Sequence, residues 1–225
     1  MSANEYVLVT GASRGIGSGT VKALMERGEH VIATSRLVDY DIPGAKVLSV
    51  DLASDVSIER LAKQLQKEGV RLKGLVNNAG ALITKPFEEM LRKDFETMGQ
   101  INWIGPAMLT QALLPMMVEG CHVVNISSMG GFQGASKYPG LSAYASAKGA
   151  LSILSECMHV ELADKGISVN ALALGAVQTD MLAQAFPDYQ APVTSDRMGA
   201  FIAEFALNGH QVMSGKVLPV ALSNP

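Results

Sequence analysis

Short apolar runs recur along the whole chain, and a polar or amphipathic stretch follows each of them. All of these runs contain β-branched residues, and they are shorter than an ordinary helix. Runs of this kind predict strands that are buried on both faces of a parallel sheet. The predicted strands cover residues 6–9, 30–35, 46–50, 72–77, 121–127, 167–174 and 217–221.

The stretches between these runs carry apolar residues at helical spacing. They include Asp55–Glu68, a long region Phe87–Val118 with a break near Gly105-Pro106, and Ser142–Lys165. Strands that alternate with helices form βαβ units, so the pattern predicts a doubly wound, Rossmann-type α/β fold. We expect a single domain over residues 1–225, with a parallel sheet of about seven strands flanked by helices.

The charge and hydropathy of the chain argue against several classes of partner. The net charge is −3 and no basic run occurs, so neither nucleic acid nor a membrane surface is an expected partner. No apolar stretch approaches the roughly 20 residues that span a bilayer. Hydrophobic residues make up 48% of the chain and charged residues only 17%, below the usual quarter. We therefore expect a homodimer or homotetramer that covers apolar helix residues such as Phe95, Met98, Leu151, Leu154 and Met158.

The two cysteines predict no disulfide framework. Cys121 lies in a predicted strand and Cys157 in a predicted helix, and we interpret both as small buried thiols. The first residues lack the basic-then-apolar pattern of a secretory signal. These features favour a reducing, cytoplasmic compartment, and no metal site is expected.

A glycine-rich turn, Thr10–Gly17, follows the first predicted strand with the sequence Thr-Gly-Ala-Ser-Arg-Gly-Ile-Gly. Glycines let a backbone approach a phosphate closely. The helix that follows, expected to run to about Arg27, supplies free N–H groups and a partial positive charge. The turn therefore predicts an anion site. Its spacing differs from the commonest dinucleotide fingerprint, and by itself the turn is also compatible with a mononucleotide or with no ligand.

Together with later motifs, this turn resembles the cofactor loop of the short-chain dehydrogenase/reductase family. Residues 77–80, Asn-Asn-Ala-Gly, match the family's N-N-A-G element, and residues 144–148, Tyr-Ala-Ser-Ala-Lys, match its Y-x-x-x-K motif. The resemblance covers nearly the whole chain. It implies that the catalytic residues are Asn102, Ser128, Tyr144 and Lys148. The cofactor-binding residues that we expect are Gly11, Ser13, Arg14, Gly15, Ile16, Gly17, Ser35, Arg36, Asp51, Leu52, Asn78, Ala79, Gly80, Tyr144, Lys148, Gly175, Val177 and Thr179.

The chain departs from the family pattern at three places. Leu174 stands where proline is usual, and the tail is Val220-Ala221-Leu222 where many relatives have V-D-G-G. A few extra residues, around Gly134–Lys137, lengthen the segment between the catalytic serine and tyrosine. We expect the longer segment to reshape the rim of the pocket, and the altered tail puts the usual C-terminal contacts in doubt.

The pair Tyr144 and Lys148 carries the predicted chemistry. The two residues are four apart on a helix and therefore share a face. The tyrosine hydroxyl would be the general acid or base of a hydride transfer, although its ordinary pKa is about 10. A lysine charge at about 4 Å would lower this pKa to roughly 7. Ser128 would donate a hydrogen bond to the substrate carbonyl as negative charge develops there.

The end of the second predicted strand distinguishes the two nicotinamide cofactors. An acid there holds the ribose 2′-hydroxyl of NAD, whereas an arginine accommodates the 2′-phosphate of NADP. Here the strand ends at Ser35-Arg36, Arg14 lies in the glycine-rich turn, and Asp39 and Asp41 follow in a predicted loop. The sequence therefore predicts NADP(H), and a solvated Arg36 is the alternative.

The substrate is constrained by the segment 180–197, which we expect to form a lid. Its residues Met181, Leu182, Phe186 and Tyr189 are interpreted either as an apolar wall of the substrate pocket or as packing. Its aspartates, Asp180, Asp188 and Asp196, make the mouth acidic and disfavour an acidic carrier protein.

We predict an oxidoreductase that interconverts a small-molecule carbonyl, a ketone or aldehyde, and an alcohol. The alternatives are a 3-oxoacyl-carrier-protein reductase-like activity and a non-catalytic NADP-binding regulatory protein. Regulatory relatives typically lose the tyrosine or the lysine, and this chain has both.

Overall fold

The computed structural model describes residues 5–223. Within that range, seven parallel strands form one sheet in the order β3-β2-β1-β4-β5-β6-β7. The strands are β1 (Glu5–Thr10), β2 (His30–Ser35), β3 (Lys46–Ser49), β4 (Arg71–Asn77), β5 (Met117–Ser128), β6 (Ser168–Leu174) and β7 (Lys216–Val220). The doubly wound fold predicted from the apolar runs is confirmed.

Helices cover both faces of this sheet. They are α1 (Gly15–Glu26), α2 (Asp55–Lys67), α3 (Arg92–Gly99), α4 (Gly105–Leu113), α5 (Ser142–Leu162), α6 (Asp180–Ala185) and α7 (Ser195–Asn208). None of the helices within the described part of the chain has the length and apolar character needed to cross a membrane.

The core is divided by the sheet because successive strand residues point to opposite faces. On one face, Val7 and Val9 belong to a buried cluster with residues of α1 and α7. On the other face, Leu8 belongs to a cluster with Leu61 of α2 and Leu109 of α4. Burial on both faces explains why the strands read as nearly continuous apolar runs.

A few polar side chains do lie inside the sheet, and they bind one another. Asn77 donates from Nδ2 to Asn125 Oδ1 at 2.8 Å, and Asn125 donates to Ser155 Oγ of α5 at 2.8 Å. Farther along the sheet, His122 Nε2 lies 2.9 Å from Asn170 Nδ2, and His122 Nδ1 lies 3.1 Å from the Ala206 carbonyl oxygen. These bonds compensate for burying polar groups, which would otherwise cost about 1–3 kcal/mol each.

The region Phe87–Val118 differs from the expected long helix with a break near Gly105-Pro106. The chain continues from α3 into α4 through a π-helical turn, Gln100–Ile104, in which the Gly105 N–H bonds to the Gln100 carbonyl. Pro106 lies in the first turn of α4, directly after this π-helical turn, so the helix changes its hydrogen-bond pattern here and is not interrupted. The helical region also ends earlier than predicted, because residues from Met117 onward belong to β5.

Gly105 is required by close packing rather than by a loosened turn. A Cβ atom added there would lie 2.5 Å from the Leu52 carbonyl oxygen, closer than any real contact. The small residue therefore lets the helix approach the loop that follows β3.

The predicted burial of the cysteines is confirmed for one residue only. Cys121 is buried in β5, whereas Cys157 is exposed on α5. The buried residues Leu151, Ser155 and Leu162 define the face of α5 that packs on the sheet. Cys157 lies two residues after Ser155, which turns it to the opposite face of the helix.

The buried His122 makes stability depend on pH. Burial lowers the pKa of His122 from 6.5 to about 4, so the unfolded chain takes up this proton first as the pH falls. The stabilisation is complete above about pH 6.5 and is lost as the pH falls to about 4, a change of about 3 kcal/mol. We expect the difference in unfolding free energy between wild type and His122→Gln to shrink by that amount, measured by urea denaturation across this range. A constant difference would contradict the assignment, and His30→Gln, at an exposed histidine, is the control.

Candidate active site

The carboxyl ends of the strands surround a cleft of about 1050 Å³. Its wall is built by the loops after β1, β2, β3, β4, β5 and β6. This is the place where parallel α/β sheets bind ligands, because helix N-termini and free loop backbones converge there.

One side chain, Thr10, joins the glycine-rich turn to the end of β4. Its Oγ1 accepts hydrogen bonds from the N–H groups of Asn78 and Ala79, both at 3.0 Å. Asn78 reciprocates by donating from Nδ2 to the Thr10 carbonyl oxygen at 2.8 Å. Gly11 has a φ of +66°, and a Cβ atom there would lie 2.8 Å from the Ala79 Cα. The turn can therefore be this close to β4 only with glycine at this position.

Nearly all predicted cofactor residues line the cleft, as the resemblance implies. Those on the wall are Gly11, Ser13, Arg14, Gly15, Ile16, Ser35, Arg36, Asp51, Leu52, Asn78, Ala79, Gly80, Tyr144, Lys148, Gly175, Val177 and Thr179. Gly17 is not on the wall; a Cβ atom there would lie 2.2 Å from the Gly11 carbonyl oxygen, so it supports the turn from behind.

Three of the predicted catalytic residues meet in the middle of this wall. Ser128 ends β5, and Tyr144 and Lys148 lie on successive turns of α5. Lys148 is buried and donates from Nζ to the Ile126 carbonyl oxygen at 2.7 Å. Its Nζ lies 6.0 Å from the centroid of the Tyr144 ring.

The pKa of Tyr144 shifts in the direction opposite to our expectation. Burial raises the pKa of Tyr144, and a hydrogen bond from Ser128 only partly counteracts this effect. Burial also lowers the pKa of Lys148, from 10.5 to about 8. The protein alone thus keeps the tyrosine hydroxyl protonated at neutral pH.

Two residues that sequence reasoning missed position the lysine. Ser127 donates from Oγ to the Lys148 carbonyl oxygen at 2.8 Å and lies 2.9 Å from Ser152 Oγ. The Ile126 carbonyl holds the ammonium group. The contact of Ile126 is made by its backbone carbonyl, which no residue type predicts. The sequence predicts Ser127 only as the last residue of a strand.

Asn102 lies behind the wall rather than on it. It is fully buried in the π-helical turn, where its side chain accepts from Ala81 N at 3.1 Å and donates to Ala81 O at 3.0 Å. A Cβ atom on Gly80 would lie 2.9 Å from Asn102 Oδ1 and 3.5 Å from Lys148 Nζ. Asn102 therefore fixes the segment after β4 next to the lysine.

The two predicted phosphate-binding arginines have different surroundings. Arg14 Nη1 lies 3.2 Å from Asp180 Oδ2, and both side chains are 79% exposed. Arg36 is exposed at the end of β2, and no ion pair involves it within residues 5–223. Asp39 also lines this end of the cleft.

The longer segment between Ser128 and Tyr144 reaches the predicted lid. Its Tyr138 lies edge-on to Phe186, with ring centroids 5.4 Å apart and the ring planes at 76°. Phe186 follows α6, whose start is capped by Thr179 accepting from Leu182 N at 3.1 Å. The segment thus forms part of the rim next to the lid.

The altered tail contacts the end of β6 and the lid. Gly175 N donates to the Val220 carbonyl oxygen at 2.9 Å, and Ala176 N donates to the Ser223 carbonyl oxygen at 3.1 Å. Tyr189 donates to Ser223 Oγ at 2.7 Å. These are mostly backbone bonds, so they tolerate the changed side chains.

Comparison with known proteins agrees with this geometry. The short chain dehydrogenase family profile matches residues 5–190. An L-xylulose reductase from Mesocricetus auratus is 33% identical over 206 residues, covering 87% of this chain and 82% of that protein. Carbonyl reductase (NADPH) 2 from Sus scrofa is 33% identical over 183 residues, covering 77% of this chain and 72% of that protein.

A solved structure, the Pseudomonas aeruginosa RhlG/NADP active-site complex, has a TM-score of 0.86 at 27% identity, covering 98% of this chain and 96% of that one. The chain belongs to the short-chain dehydrogenase family. It is accordingly an oxidoreductase of the class that acts on alcohol and carbonyl groups.

The role of Thr10 can be tested with a substitution of the same shape. Thr10→Val leaves the Ala79 N–H without an acceptor and the Asn78 N–H with only the Val76 carbonyl oxygen, so we expect a loss of at least about 1 kcal/mol in unfolding free energy. Thr34→Val is the matched control, because that buried hydroxyl only donates to the Val9 carbonyl oxygen at 3.3 Å. Equal losses in urea denaturation would show that Thr10 does not support the turn in this way.

Proposed function

We propose that this protein is an NADP(H)-dependent reductase of small ketones or aldehydes, with Tyr144 as the general acid. The observation that carries the proposal is the convergence of Ser128, Tyr144 and Lys148 on the wall of a cleft that also contains the glycine-rich turn. A binding protein without catalysis would have no need for this combination.

The cleft fits a dinucleotide. Gly15 and Ile16, at the start of α1, line the cleft, and the free backbone N–H groups of a helix start suit a pyrophosphate. The end of the cleft that is lined by Ser35 and Arg36 would hold the adenosine half of the cofactor. The residues around Lys148 and Val177 would hold its nicotinamide half. The nicotinamide would supply or accept the hydride.

The residues of the chain would provide everything else that the reaction needs. Ser128 is placed to donate a hydrogen bond to the substrate oxygen as it becomes negative. Tyr144 would deliver its proton to the same oxygen, and its raised pKa supports this because the hydroxyl is protonated at neutral pH. Lys148, largely protonated below its pKa of about 8, would stabilise the tyrosinate left behind. Oxidation of an alcohol would need Tyr144 to lose its proton first, so the protein environment favours reduction.

The preference for NADP rests on Arg36 and Arg14. The exposed Arg14–Asp180 pair is worth at most about 1 kcal/mol, so a phosphate dianion could displace the carboxylate. The porcine relative is named for its use of NADPH, and the Pseudomonas structure is a complex with NADP, which supports the same choice. Asp39 is the residue that would favour NAD instead.

We also propose a homodimer or homotetramer in a reducing, cytoplasmic compartment. Met98 and Leu151, which sequence reasoning offered for the subunit surface, are buried within the protomer. The exposed apolar residues on the same helices are Phe95, Ile153 and Val160. Pro219 lies in β7 at the edge of the sheet, where a missing N–H is tolerated. The free cysteines support the compartment.

Tyr144→Phe tests the catalytic assignment. We expect kcat for NADPH-dependent carbonyl reduction to fall by roughly 10²–10⁴-fold while the NADPH dissociation constant stays within a few-fold. Lys148→Met should lose activity and also bind NADPH more weakly. Tyr189→Phe, which removes a hydroxyl that bonds to Ser223, is the control. Near-normal turnover by Tyr144→Phe would refute the role of Tyr144.

Arg36→Ala tests the cofactor preference. An arginine–phosphate bond contributes about 1.5–3 kcal/mol, so we expect NADPH affinity to fall roughly ten- to hundred-fold and NADH affinity to change little. Fluorescence titration of both cofactors measures this, with the exposed Arg60→Ala on α2 as the control. Equal losses for both cofactors would show that Arg36 contacts something other than the 2′-phosphate.

The oligomer is tested by light scattering at micromolar concentration. We expect a mass of two or four chains for the wild type, and Val160→Glu should shift it towards the monomer, because a charge would be placed on the apolar helix face. A monomeric wild type would contradict the proposal.

A further inference from the structure

The segment between Ser128 and Tyr144 is an ordered part of the cleft wall. Gly130 N donates to Ser128 Oγ at 3.2 Å at its start, and Lys85 N donates to the Gly140 carbonyl oxygen at 3.0 Å near its end. Gly140 has a φ of +81°, which turns the chain towards the buried Leu141. These anchors hold Tyr138 over the cleft against Phe186.

The charges that line the cleft are concentrated at the cofactor end. Apart from the catalytic Lys148, from Asp180, which pairs with Arg14, and from Asp196 of α7, the charged residues on the wall are Arg14, Lys22, Arg36, Asp39 and Asp51; these five belong to the glycine-rich turn, α1 and the ends of β2 and β3. These residues suit the phosphates and ribose of the cofactor.

The opposite end, where Tyr138 and Phe186 meet, is apolar. The apolar cleft-lining side chains nearest to them in the chain are Met129 and Leu141, on the segment of Tyr138, and Met181 and Leu182 of α6; Leu82 lines the cleft after β4. We call this part of the wall, together with the two aromatic rings, the apolar end.

No cation is available at the apolar end within the described residues. Lys137 Nζ donates hydrogen bonds to the Phe132 and Ala135 carbonyl oxygens at 2.7 and 2.9 Å. The ammonium group is therefore bound within its own segment. Lys85 is paired with Asp94 at 2.9 Å. Lys148 is held by the Ile126 carbonyl oxygen. A substrate carboxylate or phosphate would therefore lose its hydration without gaining a partner.

We propose that the apolar end selects uncharged carbonyl compounds with an aromatic or branched apolar body, and that Tyr138 is the residue that determines this specificity. The inference rests on the proposed function, because it names the substrate class of the same site. The Tyr138–Phe186 contact connects the segment after β5 with the lid, so an apolar body must lie against these rings to reach Ser128. Edge-on aromatic contacts of this kind are favourable for such ligands as well.

Two acetophenones that differ only at the para position test the selection by charge. These are p-methylacetophenone and p-acetylbenzoate, which differ by a methyl group and a carboxylate. With NADPH and the wild-type protein, we expect kcat/KM for the neutral ketone to be higher by at least about a hundredfold, the scale on which pockets discriminate between such groups. Comparable values for the two ketones would overturn the proposal.

The role of Tyr138 is tested by Tyr138→Ala, Tyr138→Phe and the control Phe132→Ala, which changes a side chain of the same segment that does not line the cleft. We expect Tyr138→Ala to raise KM for p-methylacetophenone roughly tenfold, the scale of a lost apolar contact, and to raise KM for butanone, which has no aromatic body, by less. Tyr138→Phe should behave like the wild type. An unchanged KM in Tyr138→Ala would refute the assignment.

A binding measurement separates failure of this inference from failure of the proposed function. Calorimetry with the Tyr144→Phe protein and saturating NADPH reports on the pocket without turnover. Preferential binding of the neutral ketone supports the inference even if the wild type reduces neither compound, an outcome that would refute the proposed function. Equal binding of the two ketones, or binding of neither, would overturn the inference.

Discussion

Burial of the parallel sheet on both faces is the constraint on which the rest of this structure depends. A strand covered by helices on either side carries polar side chains mainly where these find hydrogen-bond partners, as the Asn77 amide nitrogen, Asn125 and Ser155 do, although Asn77 Oδ1 has none among the described residues. The polar residues of the site lie at the carboxyl ends of the strands, where the loops border a cleft. The site is therefore assembled from six loops that lie far apart in the chain and close together in space.

The same burial sets the electrostatics of the catalytic residues. Lys148 lies inside the protein because the Ile126 carbonyl oxygen accepts from its ammonium group and Ser127 holds its backbone. Burial lowers the pKa of the lysine to about 8 and raises the pKa of Tyr144. Both shifts have the same cause, the cost of a charge in a poorly solvated place. The raised pKa of Tyr144 makes its hydroxyl more suitable as a proton donor than as a proton acceptor.

The two ends of the cleft differ in how they are held. At the cofactor end, backbone geometry holds the wall in place: Thr10, Gly11 and Asn78 fix the glycine-rich turn against the turn after β4 through hydrogen bonds and close packing. At the apolar end, side chains hold the wall in place, because the rings of Tyr138 and Phe186 are in contact although they lie on segments that follow different strands. Backbone geometry suits a cofactor shared by many enzymes, whereas side-chain contacts allow the substrate to vary.

The sequence by itself determined the strand and helix order, the glycine-rich turn and the positions of Ser128, Tyr144 and Lys148, because periodicity and motif spacing are local properties of the chain. Only the tertiary structure decided the direction of the Tyr144 pKa shift, the exposure of Cys157, the Arg14–Asp180 pair and the meeting of Tyr138 with Phe186. Each of these depends on the distance or burial of groups that are remote in sequence. The π-helical turn before Gly105 belongs with them, since the approach of Leu52 from another loop requires that glycine. The local pattern of residues specifies whether a segment is a helix or a strand, whereas tertiary packing specifies the surroundings of its side chains.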